Sequence, residues 1–131
     1  MPYENDPNQD VRTSIRTTQD VVVGKRVVKT AVVLPVSASN ATVMDLSRGD
    51  HWTYTPTEAS TLSAINHAPG QFVTLTIQAT GSSRTLTFGT GFGTTGTLAT
   101  GTDAAKMFTI VFVSNGTYLN EVARTTALTV S

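Results

Sequence analysis

The chain has 131 residues with nine basic and nine acidic side chains, so its formal charge is zero. That length holds one domain with a real core, not two ordinary ones. Charged residues make up 14% of the chain, against roughly 25% in a typical soluble domain. No basic run exceeds Lys25-Arg26, which excludes a nucleic-acid stripe and a polybasic membrane patch. Cysteine is absent, so disulfides, thiolate metal sites and thiol nucleophiles are excluded. No run approaches the ~18 apolar residues of a membrane helix, and no basic-then-apolar leader opens the chain. Synthesis in a cytoplasm is therefore expected.

Threonine dominates instead. There are 25, beside 15 valines, and β-branched side chains fit a pleated strand surface. Thr, Ser and Gly in place of charge suit a protein packed among copies of itself or against a lattice.

Residues 1–19 carry Pro2, Pro7 and almost no large apolar side chains. Such a segment buries too little surface to offset its ordering entropy, and it reads as an extended arm. The domain then runs over 20–131. Residues 20–36 are nearly continuously β-branched, interrupted by Gly24, Lys25-Arg26 and Pro35, and predict two strands, at least one buried on both faces. A turn at Ser37–Asn40 precedes a short strand over Thr42–Leu46. Ser47–Asp50 turns again before His51–Thr55, and Ser60–Ile65 is the next strand. Pro69-Gly70 marks a turn. From Gln71, Val73, Leu75 and Ile77 face one way while Thr74, Thr76 and Gln78 face the other, which is a strand with one wet face. Arg84–Gly89 follows with Leu86 and Phe88 inward. Five glycines over residues 89–102 predict a long loop pinned by Phe92 and Leu98.

Asn115-Gly116 between alternating apolar runs signals a hairpin. A two-residue loop would set Glu121 on the Phe108/Ile110/Phe112 face and bury a carboxylate. A three-residue loop with a glycine bulge sets Tyr118 and Val122 there and Glu121 outside, so the second register is expected. No segment shows helical periodicity. The sum is an all-β fold, an antiparallel sandwich or jelly roll of eight to ten short strands behind the N-terminal arm.

Chemistry-bearing patterns are sparse. Asp50, His51 and Trp52 are consecutive, and neighbours along a strand point to opposite faces, so His51 and Asp50 form no dyad. His67 reads as a solvated turn residue. The carboxylates include no D-x-D-x-D-G loop, so no calcium site is expected. Gly89, Gly91 and Thr94 only partly match a dinucleotide fingerprint, and no helix follows. Asn40-Ala41-Thr42 and Asn115-Gly116-Thr117 fit the glycosylation pattern by chance. Trp52, Tyr54, Phe72 and Tyr118 could line a sugar-binding face, but core or subunit packing is the favoured reading. No catalytic residue, cofactor or metal is expected, and an enzyme would require a carboxylate pair or a Ser–His contact in the fold.

Residues 62–128 carry LSAINHAPGQFVTLTIQ, then SSRTLTFGTGF, then GTLATGTDAAKMFTIVFVSNGTYLNEVARTTAL. This block resembles a β-rich module of tailed-bacteriophage virion proteins, found in capsid decoration (cement) proteins and in head or tail appendages. Appendage versions carry Trp near the position of Tyr118-Leu119, and this chain does not. With its compact β domain and arm, the whole chain is similar to a decoration protein. The resemblance implies a non-enzymatic structural protein on the capsid exterior of the virion, a homotrimer that clamps neighbouring major capsid protein subunits without nucleic acid or membrane. The alternative is a short fibre-type head or tail appendage with a carbohydrate-binding role. Capsid contact is expected from the arm, through Tyr3 and Ile15 as apolar anchors and Arg12 and Arg16 pairing with capsid carboxylates.

Overall fold

The structure, a computed structural model, describes residues 30–35 and 40–131. Eleven strands appear among them: β1 (Val32–Val33), β2 (Ala41–Asp45), β3 (His51–Tyr54), β4 (Ser60–Ile65), β5 (Phe72–Gln78), β6 (Thr85–Phe88), β7 (Phe92–Gly93), β8 (Leu98–Ala99), β9 (Lys106–Ser114), β10 (Leu119–Arg124) and β11 (Leu128–Thr129). A single 3-10 turn, Leu46–Arg48, joins β2 to β3. The arm, residues 20–29 and residues 36–39 lie outside the described residues.

The fold is all-β and built of two sheets. One has the order β1-β3-β5-β9-β10-β7, with β11 also pairing β9, and the other is β2-β4-β6-β8. From β1 to β8 the chain alternates between them, and from β3 to β6 each strand stacks on the one two places earlier. Val32 lies beside Trp52 and Trp52 beside Leu75, both in parallel. Ala41 lies beside Thr61 and Thr61 beside Thr87, again in parallel. This winding makes a β-solenoid, and it corrects the expectation of an antiparallel sandwich or jelly roll. Period-two alternation fixes which face of a strand is buried but not the direction of its neighbour. Turn residues such as Pro69-Gly70 mark a corner between sheets as readily as a hairpin.

The parallel winding ends at β6, because β8 pairs with it antiparallel, Leu98 beside Leu86. The β9–β10 hairpin inserts into the larger sheet, with β9 antiparallel to β5 and β10 parallel to β7. Its placement buries apolar pairs across the β5–β9 ladder: Val73 opposite Phe112, Leu75 opposite Ile110 and Ile77 opposite Phe108. The core lies between the sheets, with Trp52, Leu62, Leu75, Leu86, Ile110 and Leu119 sealed from solvent. Phe88, Phe92 and Phe112 close one end, with centroids 5.3 Å apart for Phe88–Phe92 and for Phe92–Phe112. The expected glycine-rich loop instead supplies two short strands, β7 against β10 and β8 against β6, and Leu98 and Phe92 do pin it.

The hairpin register differs from the one expected. Ser114 pairs with Leu119 and Phe112 with Glu121, which leaves a four-residue turn. Leu119 takes the buried position, while Tyr118 and Val122 are exposed. The Glu121 side chain retains 5% of its accessible surface. The three-residue register would keep this carboxylate in water. Its burial is instead made tolerable by partners on every side. Arg124 donates Nε to Oε2 at 2.9 Å and Nη2 to Oε1 at 2.8 Å. The Thr95 N–H donates to Oε1 at 3.1 Å, and its hydroxyl adds a longer bond.

Candidate functional site

Two turns and the hairpin tip converge at one corner of the solenoid, where the chain crosses from the smaller sheet to the larger. Leu46–Arg48 supplies the first turn, residues 66–71 the second and residues 115–118 the hairpin tip. Gln71 binds the first two together. Its Nε2 donates to the Leu46 carbonyl at 3.1 Å and to Asp50 Oδ1 at 2.7 Å, and its Oε1 accepts from the Ala68 N–H at 3.0 Å. Ser114 also ties the second turn to the hairpin through its main chain: the Gly70 N–H donates to the Ser114 carbonyl and the Ser114 N–H to the Gln71 carbonyl.

Asp45 caps the 3-10 turn. Its Oδ1 accepts from the Ser47 hydroxyl at 2.6 Å, the Asn66 amide at 3.0 Å and the Ser47 N–H at 3.1 Å. These bonds, the Ser47 hydroxyl first, hold its carboxyl below the usual carboxylate range. Asn66 reaches Asp45 from a left-handed backbone conformation, φ 60°, which Asn tolerates better than most residues.

Both histidines stand near this corner, each against a hydroxyl. His51 Nδ1 bonds Thr74 Oγ1 on the neighbouring strand. His67 Nδ1 lies 2.6 Å from Ser114 Oγ, which corrects the expectation of a solvated turn residue. A Ser–His contact is thus present. Ser114 is only 3% exposed, and its Oγ already accepts the Gly116 N–H at 2.9 Å. An external substrate has no approach to that oxygen, so the pair does not build a hydrolytic nucleophile of the ordinary kind. Among the described residues no three His, Asp or Glu side chains gather as a metal would require.

The four aromatic residues considered together in the sequence separate. Trp52 and Tyr54 are core, with Trp52 Nε1 donating to the Gly49 carbonyl at 2.9 Å and the Tyr54 hydroxyl bonding Ser60 Oγ at 2.8 Å. Phe72 is 64% exposed and Tyr118 51%. They border the corner, Phe72 opposite Val113 and Tyr118 closing the hairpin turn through its carbonyl, which accepts the Asn115 N–H.

A second surface is the outer face of the smaller sheet. It presents Ala41, Val43, Thr61, Ile65, Thr85 and Thr87 to solvent, with Val43 51% and Ile65 44% exposed. Asp45, at the corner end of β2, is the nearest charge on its strands. A shallow groove of about 490 Å³ runs along it between Asn40, Thr61 and Thr85. Tyr3, Arg12, Ile15 and Arg16, expected as capsid contacts, lie outside the described residues. Sequence reasoning missed the Gln71 bridge and the His67–Ser114 contact, because both join residues distant in the chain whose proximity depends on the winding. The chain matches no protein-family model, and no curated protein matches it.

Proposed function

We propose that this chain is a structural protein of a tailed-phage virion, binding the assembled capsid shell from outside and clamping neighbouring major capsid protein subunits, as a homotrimer. The observation that carries the proposal is the open outer face of β2, β4 and β6. Parallel sheets are usually covered on both sides, and this one presents hydroxyls, methyls and almost no charge. Covering such a face costs little desolvation compared with a charged one. A protein that binds only the assembled shell stabilises it by its binding free energy, multiplied over many copies. Closed threefold symmetry would match it to a threefold junction of the shell. The resemblance of residues 62–128 to the phage module supports the same reading.

The test is occupancy on emptied, expanded capsids, with Val43→Asp and Ile65→Asp as variants. Loss of occupancy with unchanged thermal melting of the free protein is the expected result. Full occupancy by both variants would remove the face from the interface, and absence of the wild-type chain from capsids by electron microscopy would overturn the proposal.

The exposed Phe72 and Tyr118 favour a second reading, a head or tail appendage that stacks sugar rings on these aromatics. A glycan array distinguishes the two: retention of a glycan by the wild type and its loss in Phe72→Ala would support the appendage.

A further inference from the structure

The tip of the β9–β10 hairpin gathers N–H donors, a hydroxyl and an imidazole around the Asn115-Gly116 pair. Its side-chain oxygen accepts two main-chain N–H bonds, from Thr117 at 2.9 Å and from Tyr118 at 2.7 Å. Two N–H donors already aimed at this oxygen are placed to hold it as negative charge develops there. The next residue is Gly116, with φ 93° and no side chain to shield its nitrogen. Its N–H donates to Ser114 Oγ at 2.9 Å, and Ser114 Oγ lies 2.6 Å from His67 Nδ1. Because Oγ accepts from Gly116, its own proton is free to point at the imidazole. A continuous path therefore leads from the Gly116 nitrogen through a hydroxyl to a base. Asn115 is exposed, whereas Ser114 is buried, so the relay is shielded and the product faces solvent.

We propose that Asn115 is a self-modification site, at which the folded hairpin promotes its own deamidation. The Gly116 nitrogen attacks Asn115 Cγ, and its proton passes through Ser114 Oγ to His67 Nδ1. The negative charge that develops on Oδ1 rests on the Thr117 and Tyr118 N–H groups. The tetrahedral centre collapses with cleavage of the Cγ–Nδ2 bond, the departing nitrogen regains the proton held by His67, and ammonia leaves a cyclic imide between Asn115 and Gly116. Water then opens the ring at either carbonyl, giving aspartate or isoaspartate. Aspartate adds one negative charge beside Tyr118 and keeps an oxygen for the two N–H donors. Isoaspartate lengthens the main chain by one methylene and breaks that cap, loosening the hairpin wedged in the middle of the larger sheet. Ser114 is the catalytic residue here, and His67 acts through it.

The experiment follows position 115 by peptide mapping and mass spectrometry during incubation of the full chain at neutral pH, folded and in denaturant. The folded protein is expected to lose ammonia and gain water at this position at least about tenfold faster than the denatured chain, a modest yield for positioned proton transfer. His67→Gln keeps a hydrogen-bonding partner for Ser114 but accepts no proton, and is expected to bring the rate down to that of the denatured chain. If that variant does not fold, the wild-type pH profile decides. A relay through imidazole makes the folded rate level off once the imidazole is deprotonated, while the unassisted reaction keeps rising with hydroxide. A folded rate equal to or below the denatured one, a profile rising with hydroxide throughout, or an unchanged rate in folded His67→Gln would overturn the proposal.

Discussion

Glu121 and Arg124 are three residues apart on one strand, yet they meet on the same face of it. In a regular strand that spacing would set them on opposite faces. The register shift between Glu121 and Ala123 admits one extra residue, Val122, and reverses the alternation. Val122 is left exposed, and Arg124 turns back over Glu121. Its remaining donors reach the Thr97 carbonyl at 2.9 Å and the Gly96 carbonyl at 3.0 Å, while its guanidinium lies 5.5 Å from the Phe88 ring centroid. One side chain thus fastens the inserted hairpin to the connection between β7 and β8.

Arg124→Ala is expected to cost about 3 kcal/mol, because it leaves a buried carboxylate without its counter-charge. Glu121→Gln, which removes the charge and keeps the shape, should cost clearly less in the wild-type background. In the Arg124→Ala background it should recover part of the loss. Urea unfolding of the four proteins measures the coupling, and additive effects would mean that the two side chains act independently.

The same pair sets an acid limit on the fold. Burial raises the Glu121 carboxyl, but the Arg124 and Thr95 hydrogen bonds outweigh it and the net displacement is downward from 4.5. A folded-state value below the unfolded one gives stability that is complete above the unfolded value and lost as pH falls through the folded one. Melting temperature should therefore hold steady above about pH 5 and fall below about pH 4.5. Glu121→Gln should flatten part of that fall, with the remainder belonging in part to Asp45, which is displaced the same way.

Gly91 stands where the chain passes closest to its neighbours, with φ 89°. A methyl group there would overlap the Ala64 carbonyl oxygen, and the Gly91 carbonyl accepts the Leu119 N–H at 2.8 Å. Gly91→Ala combines a left-handed backbone with a main-chain clash, so a loss well above 1 kcal/mol is expected in denaturant unfolding. Gly96→Ala is the control: its added methyl would meet open space, leaving only the cost of its backbone angle.

How much of this was legible follows a physical boundary. Alternation in Phe72–Gln78 and the β-branched composition located the longer strands, and Val73, Leu75 and Ile77 are all sealed, whereas β7 and β8 fall where a loop was expected. Strand direction was not legible, since Val32 beside Trp52 and Ala41 beside Thr61 are set by how the chain winds. A lone carboxylate in the position of Glu121 is costly to bury. That cost is cancelled by Arg124 only after a bulge that no local pattern announces. Of the site, the Asn115-Gly116 turn was visible as a dipeptide, whereas Ser114, His67 and the two N–H donors around it required the fold.

Residues 1–19 hold Tyr3 and Ile15 as the apolar side chains proposed to anchor the arm, and Arg12 and Arg16 as the cations proposed to meet capsid carboxylates. Ordering such a segment costs roughly 1–2 kcal/mol per residue, so docking must return main-chain hydrogen bonds or buried apolar area. Deletion of residues 1–19 should lower occupancy on empty capsids while leaving the melting of the free protein unchanged. The two arginines predict a further sign: occupancy by the wild type should fall with salt more steeply than occupancy by the deletion, since exposed ion pairs are screened. Tyr3→Ala and Ile15→Ala should weaken binding with no change in salt dependence, which separates the apolar anchors from the charged ones. Unchanged occupancy and unchanged particle melting after deletion would assign the whole attachment to the β domain, and with it to the uncharged face of β2, β4 and β6.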